Sequence, residues 1–306
     1  MRQVYTSPKT VHSKTKVFPS LEVLLQEKLQ VFKIHSDTIL YGKHGTIIYF
    51  HPSCLQTQDS MPYHGEVRFE LKELYTKQAL LGERAYTLSN GSMLESDGAL
   101  YINAQTENGD PLFIACEEGI EIRMSTDVKP NMIYFDGSRN TSGNMNWEVS
   151  DSIKILVDEN TLNTMDSNDS FYEDKINKET LVQKYFFSTK KFGWINCDRF
   201  YDDSREKVDL LARFILPSYE KKCTEIQNYI VFNALMCVLP MELDTFGQWI
   251  CTSLPVGECV TCISIQKTDQ HLYYGIQQTC IGNSNLFVLL KEVKEAELML
   301  LLKLNL

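Results

Sequence analysis

The stretch Phe192-Gly193-Trp194-Ile195-Asn196-Cys197-Asp198-Arg199-Phe200-Tyr201 sets a tryptophan among amide, carboxylate and guanidinium groups. Read as a strand, one face carries Phe192, Trp194 and Asn196, the other Gly193, Ile195 and Cys197. Polar groups beside a large aromatic ring must be hydrogen-bonded if they are buried. Two kinds of chemistry suit Trp194, Asn196, Asp198 and Arg199. The first is a structural knot, with Trp194 and Phe192 buried where a second domain meets the first. Asn196, Asp198 and Arg199 would then tie neighbouring backbone and side chains, because buried polar groups persist only when paired. The second is a ligand site, with Trp194 as an exposed stacking platform beside a concave pocket.

Acidic pairs offer a different chemistry. Glu117-Glu118 and Asp202-Asp203 are the paired carboxylates through which a glycan-active hydrolase could work. Glycosidase carboxylates, however, usually face each other across a cleft from separate elements. Asp202, Asp203 and Glu206 could also hold a hard cation, but no glycine-containing calcium loop surrounds them. His12, His35, His44, His51, His64 and His271 show no metal-ligand spacing, although His44, His51 and His64 lie near one another in the chain. Cys259 and Cys262 match CxxC. In a strand, residues three apart point to opposite faces, so these two thiols are expected neither to chelate together nor to pair with each other. Dinucleotide-binding, phosphate-loop, HExxH and GxSxG signatures are missing. The expectation is no catalytic residue, no cofactor and no metal.

The chain of 306 residues carries 30 basic and 40 acidic side chains, a net charge of −10. With no run of Lys or Arg to track phosphates, nucleic acid and anionic membrane surfaces are poor partners. No segment has the length of a transmembrane helix, and Met1–Thr6 opens no signal peptide. The nine cysteines cannot all pair within one chain. Most stand in apolar surroundings, where a free thiol acts as a small hydrophobe; taken alone this leans towards a reducing compartment.

The elements that position these residues repeat mostly with a period of two. Residues 1–30 form an N-terminal segment ending in a short amphipathic helix, Pro19–Gln30, with Leu21, Leu24, Leu25 and Leu29 on one face and Ser20 as N-cap. Residues 31–157 read as a β-sandwich, with turns at Ser89-Asn90-Gly91-Ser92, Ser96-Asp97-Gly98, Glu107-Asn108-Gly109-Asp110 and Asp136-Gly137-Ser138. Asn108-Gly109 marks the clearest hairpin. Residues 158–184 form an acidic, Asn/Ser-rich linker, with a helical turn around Lys178–Lys184. Residues 185–306 form a second β-rich domain, transthyretin-like or immunoglobulin-like, closed by a helix on which Ala296, Leu300 and Lys303 are set. The fold class is mainly all-β: two consecutive antiparallel β-sandwich domains with short flanking helices.

The segments Gly42-Lys43-His44-Gly45-Thr46-Ile47-Ile48-Tyr49-Phe50, Gly65-Glu66-Val67-Arg68-Phe69-Glu70-Leu71-Lys72-Glu73 and Ser89–Gly98, followed by the Phe192–Tyr201 block, form a combined pattern. It resembles that of uncharacterised exported Bacteroidetes envelope proteins, from about Phe18 to the C-terminus. Their first domain is similar to the β-sandwich of ankyrins and netrin receptors. The resemblance implies a periplasmic or cell-surface location and a non-enzymatic role. Some eukaryotic relatives of that sandwich cleave themselves at His-Phe-Ser. Here Phe50-His51-Pro52-Ser53 reverses the order and puts proline before the hydroxyl, so self-cleavage is not expected.

The triplets at Thr38, Ser60 and Ser152, each preceded by Asp and followed by an apolar residue, resemble O-glycosylation sites of exported Bacteroidetes proteins. They lean the same way as the resemblance and against the cysteine count. Export is the expectation, with a leader upstream of Met1. The functional expectation is a non-catalytic envelope module that binds or supports a protein or glycan partner. The alternative is the hydrolase with paired carboxylates.

Overall fold

The computed structural model describes residues 20–306 apart from 127, 142, 151–152, 159–183, 220–222 and 283–284. Four main sheets form two sandwiches. Sheet I runs in spatial order Gln30–Ile34, Val67–Leu74, Ser92–Thr106, Gly193–Phe200, Ile133–Arg139, Met145–Val149, with Leu88–Ser89 added to Ser92–Thr106. Sheet II runs Leu156–Asp158, Lys184–Thr189, Ile120–Met124, Ile47–Phe50, Thr38–Tyr41. Sheet III runs Val238–Pro240, Glu225–Phe232, Cys259–Lys267, Leu272–Cys280, Lys291–Val293. Sheet IV runs Glu242–Leu243, Trp249–Pro255, Lys207–Ile215, Leu286–Leu289. Among the described residues only Lys207–Ile215 and Leu286–Leu289 pair in parallel. The class is all-β, with short helices at Leu21–Leu25, Lys77–Gly82 and Glu295–Asn305.

Three apolar cores follow from the alternation along the strands. Ile48, Phe50, Val67, Phe69, Leu100, Ile122, Tyr134 and Ile195 fill the space between sheets I and II. Leu210, Ile230, Phe232, Leu254, Val260 and Cys262 do the same between sheets III and IV. The third core joins the two sandwiches. Leu74, Leu94, Phe135 and Trp147 of sheet I meet Tyr229, Val231, Ile263 and Ile265 of sheet III. Leu21, Leu25, Leu80, Leu81, Leu298 and Leu302 of the three helices complete it. Backbone bonds cross the same seam, from Thr87 N–H to Val238 O at 3.0 Å and from Ser96 N–H to Met236 O at 3.1 Å.

Several boundaries differ from those the sequence suggests. Lys184–Thr189 pairs with Ile120–Met124, and Gly193–Phe200 lies between Ser92–Thr106 and Ile133–Arg139. Residues 185–200 therefore belong to the first sandwich, not to a domain beginning at 185. The linker expected at 158–184 lies almost entirely outside the described residues, as does the helical turn expected before Lys184. The N-terminal helix is confined to Leu21–Leu25, where Ser20 accepts from Val23 N–H at 3.3 Å. The closing helix buries Leu298 and Leu302, while Leu300 stays exposed.

Of the expected turns, Asn90-Gly91 does join a two-residue hairpin, with Leu88 opposite Met93 and Ser89 opposite Ser92. Asn108-Gly109 closes a short hairpin as expected, with Gln105 bridging Pro111 and Leu112 N–H donating to Ala104 O at 3.0 Å, before Phe113–Ile114 goes on to pair with Leu55–Gln56. Ser96-Asp97-Gly98 is a bulge inside Ser92–Thr106, where the register against Gly193–Phe200 slips between Asn196 and Asp198. The extra residue keeps Leu94 and Ala99 on one face despite their odd separation. Asp136-Gly137-Ser138 is not a turn but the middle of a strand.

Gly137 is there because Trp147 and Trp194 flank it on the two neighbouring strands. A Cβ at this position would sit 2.4 Å from the Trp147 ring and 2.7 Å from Trp194 Cβ. Gly137→Ala is thus an overpacking change, expected to cost about 1–3 kcal/mol in chemical denaturation. A variant as stable as the parent would mean that the two indoles are not held at this spacing.

Candidate functional site

The four residues of the tryptophan strand do two different things. Asn196 and Asp198 are fully buried. Asn196 Nδ2 donates to Asp198 Oδ2 at 2.5 Å, and Ser96 Oγ donates to Asn196 Oδ1 at 3.1 Å. Arg199 lies at the end of the strand and grips Glu95 Oε2 through Nε at 3.0 Å and through a terminal nitrogen at 2.7 Å. Lys129 bridges the same Glu95 at 3.1 Å and Asp97 at 2.6 Å, and the Tyr185 hydroxyl donates to Asp97 at 2.5 Å. The contacts divide between the two faces of the strand: Asn196 stands opposite Ala99 and Phe135 of the core shared with the second sandwich, where the knot was expected, whereas the Tyr185 ring lies in the core of the first sandwich. Phe192 packs there too, its ring 6.3 Å from that of Phe69.

The charges in the knot balance unevenly. Burial pushes the Glu95 carboxyl up, but hydrogen bonds from Arg199 and Lys129 outweigh it and hold the pKa below the usual range. Burial likewise lowers Lys129, and its bonds to Asp97 and Glu95 raise it further than that. Among the described residues Asp198 has no ion pair with a cation, and the pull of nearby Lys129 is outweighed. Burial drives its pKa well above the ordinary value, against the pull of Ser96 and Asn196, and the neighbouring Asp97 adds to the rise. Its Oδ1 has no hydrogen-bond partner among the described residues.

Trp194, on the same face as Asn196, packs on the shared core, is only partly buried and opens into a groove of about 960 Å³. Its cross-strand neighbour Tyr101 stands beside it, ring centroids 5.1 Å apart and tilted by 48°. The Arg139 guanidinium lies 4.9 Å from the Trp194 ring centroid. Arg139 is itself fixed by donating to Glu83 O at 2.8 Å and Gly143 O at 2.9 Å. Across the floor, Lys72 Nζ meets Glu83 Oε1 at 2.6 Å, and that oxygen also accepts from Glu27 N–H at 2.9 Å. Glu70 accepts from Asn103 at 3.1 Å and pairs with Arg68 at 2.8 Å. Burial, with Glu70 nearby, pushes the Tyr101 phenol up.

The aromatic member of this groove was visible in the sequence, whereas Tyr101, Lys72, Glu83 and Arg139 were not. The available signal was register: Leu71-Lys72 and Leu100-Tyr101 alternate apolar and polar residues on strands adjacent to the tryptophan. Nothing in the sequence says which strands are adjacent.

Other candidate residues are dispersed. Glu117 and Glu118 are exposed in a turn. Asp203 is claimed by Arg205, which also meets Glu258 at 2.5 Å and the Tyr201 hydroxyl at 3.1 Å. Those bonds hold the Asp203 carboxyl below its ordinary range. His51 pairs with Asp37 at 3.1 Å, and His44 contributes its backbone N–H to Glu73 at 2.9 Å. Among the described residues, no group of three His, Cys, Asp or Glu is placed to hold a metal. No helix there is long and apolar enough to cross a membrane. Thr38 opens a strand, Ser60 sits exposed in a turn, and Ser152 lies outside the described residues.

Four cysteines are not the free thiols expected. Cys54 is bonded to Cys116 and Cys259 to Cys280, leaving five free. Cys259 faces its partner directly across adjacent strands, while Cys262 points into the core between sheets III and IV. No family model, curated protein or solved structure matches this chain.

The buried Asp198 sets a pH dependence. An unfolded aspartate ionises near pH ~3.9. Folded Asp198 keeps its proton to higher pH, so above that point the unfolded state binds fewer protons and stability falls as pH rises. Asp198→Asn cannot ionise and escapes this loss. Its melting temperature should gain on the wild type as pH is raised from about 4 to about 8. A difference that stays constant across that range would show that Asp198 ionises normally in the fold.

Proposed function

We propose that the protein is a non-catalytic binding module of the cell envelope, holding a partner in the groove floored by Trp194 and Tyr101. The observation that carries this reading is the aromatic pair, partly exposed on rigid neighbouring strands inside a concave surface. The two buried carboxylates of the groove, Glu70 and Glu83, support a binding role over hydrolysis. Glu83 is tied to Lys72 and to a backbone amide, and Glu70 to Arg68 and Asn103, so both already serve as acceptors. A hydrolase would need one such group free to give a proton and another free to attack or to activate water.

An envelope location draws support from the two disulfides, which belong to oxidising compartments. The resemblance to exported Bacteroidetes proteins points the same way. Protein recovered from its native compartment and denatured without reductant should titrate five thiols, and nine after reduction. Nine before reduction would place it in a reducing environment.

Binding is tested by Tyr101→Leu, which keeps apolar bulk on the strand and removes the flat ring. Screened against immobilised polysaccharides and extended peptides, the wild type should retain a ligand that Tyr101→Leu binds about tenfold more weakly. The variant's melting temperature should stay close to that of the parent. Retention of every ligand by the folded variant would remove the groove as the binding surface.

A further inference from the structure

We infer that the ligand of this groove is an uncharged saccharide, stacked on Tyr101 and Trp194 and held at its rim by hydroxyl hydrogen bonds. This rests on the binding reading above and names the ligand class. The first argument is charge. The groove is lined by four carboxylates, Glu22, Glu27, Glu70 and Glu83. Against them stand four cations, Lys28, Lys72, Arg84 and Arg139. The lining is therefore neutral, on a chain that carries −10 overall. The deeper charges are also matched locally, Lys72 with Glu83 at 2.6 Å and Glu70 with Arg68 at 2.8 Å. An ionic ligand seated on the floor would have to break such a pair, leaving a buried charge without its partner.

The second argument is backbone. Each floor strand already has a neighbour on both sides. Val67–Leu74 lies between Gln30–Ile34 and Ser92–Thr106, and Gly193–Phe200 between Ser92–Thr106 and Ile133–Arg139. A peptide has no edge of the floor strands to extend, so strand addition to sheet I is closed to it.

The third argument is the kind of surface offered. The electron-rich faces of aromatic rings attract polarised C–H groups, which a pyranose presents on its flat side. Its hydroxyls then need acceptors already held in place. A carboxylate has about four lone-pair sites. Glu22 lines the groove and is exposed, so its carboxylate is open to a sugar hydroxyl.

Calorimetric titration of the full chain tests this with three probes: cellohexaose, mannohexaose and hexagalacturonate. At least one neutral hexaose should bind, with a Kd that changes less than about twofold between about 50 mM and about 500 mM NaCl. Tyr101→Leu should weaken that binding about tenfold, and Trp194→Phe, which keeps a ring, should weaken it less. Binding of hexagalacturonate alone, steeply salt-dependent and lost in Tyr101→Leu, would overturn the neutral-ligand inference and leave the groove as a binding site. Saccharide binding that is indifferent to Tyr101→Leu would overturn both. So would failure of all three probes to bind at millimolar concentration, if the polysaccharide and peptide screen is also empty.

Discussion

The architecture depends on burying sheet I on both faces. A sandwich needs only one apolar face per sheet, and the other is normally solvated. Here the outward face of sheet I is covered by sheet III and by three short helices, through a third core that includes Leu74, Phe135, Trp147, Tyr229 and Ile263. Each helix is too short to stand alone. Each is held by its apolar residues and by fixed polar contacts, such as Leu21 N–H to Glu225 at 2.7 Å and Lys77 Nζ to Phe232 O at 2.6 Å. The two sandwiches thus share one interior.

Covering that face forces its polar residues to find partners inside the protein. Glu70 and Lys72 of that face, and Glu73 of the opposite one, are nearly inaccessible to water. Glu73 accepts from Thr46 N–H at 3.0 Å, His44 N–H at 2.9 Å and Gln30 Nε2 at 2.7 Å, and so fixes the turn from Gly42 to Thr46. Glu83 plays the equivalent part for Lys72 and the segment after the first helix. The groove is the place where this covering is incomplete. Tyr101 and Trp194 stay partly open there because the segment from Gln26 to Leu29 passes beside them instead of sealing them.

Strand existence was legible because Val, Ile, Phe and Tyr alternate cleanly, and Ile120–Met124 or Asn90-Gly91 needed no tertiary information. Sheet membership was not. The tryptophan strand follows a long acidic stretch, so chain order suggested a new domain, whereas its partners lie far back at Ala99–Ile102 and Ile133–Gly137. Glycine was misleading where it marks close approach, as at Gly137 between two indoles, or a bulge, as at Gly98. The burial of Glu70, Lys72 and Glu73 on Val67–Leu74 had no signal in the sequence. The buried knot was legible in kind, since Asn196 and Asp198 are paired as burial demands. The sheet that carries it was not, because nothing local tells which strands it will join.

The position of Gly193–Phe200 has a kinetic consequence. It is the last strand of sheet I in chain order and yet sits at its centre, inserted between Ser92–Thr106 and Ile133–Arg139. Until it docks, those two long strands have open edges with unpaired amides and carbonyls. During synthesis the first sandwich cannot close before the ribosome has delivered residue 200, and its nascent form exposes apolar surface throughout that interval. Contacts of such sequence separation form slowly. Docking of this strand is thus what closes sheet I, and until then its two neighbours present edges that another chain could pair with.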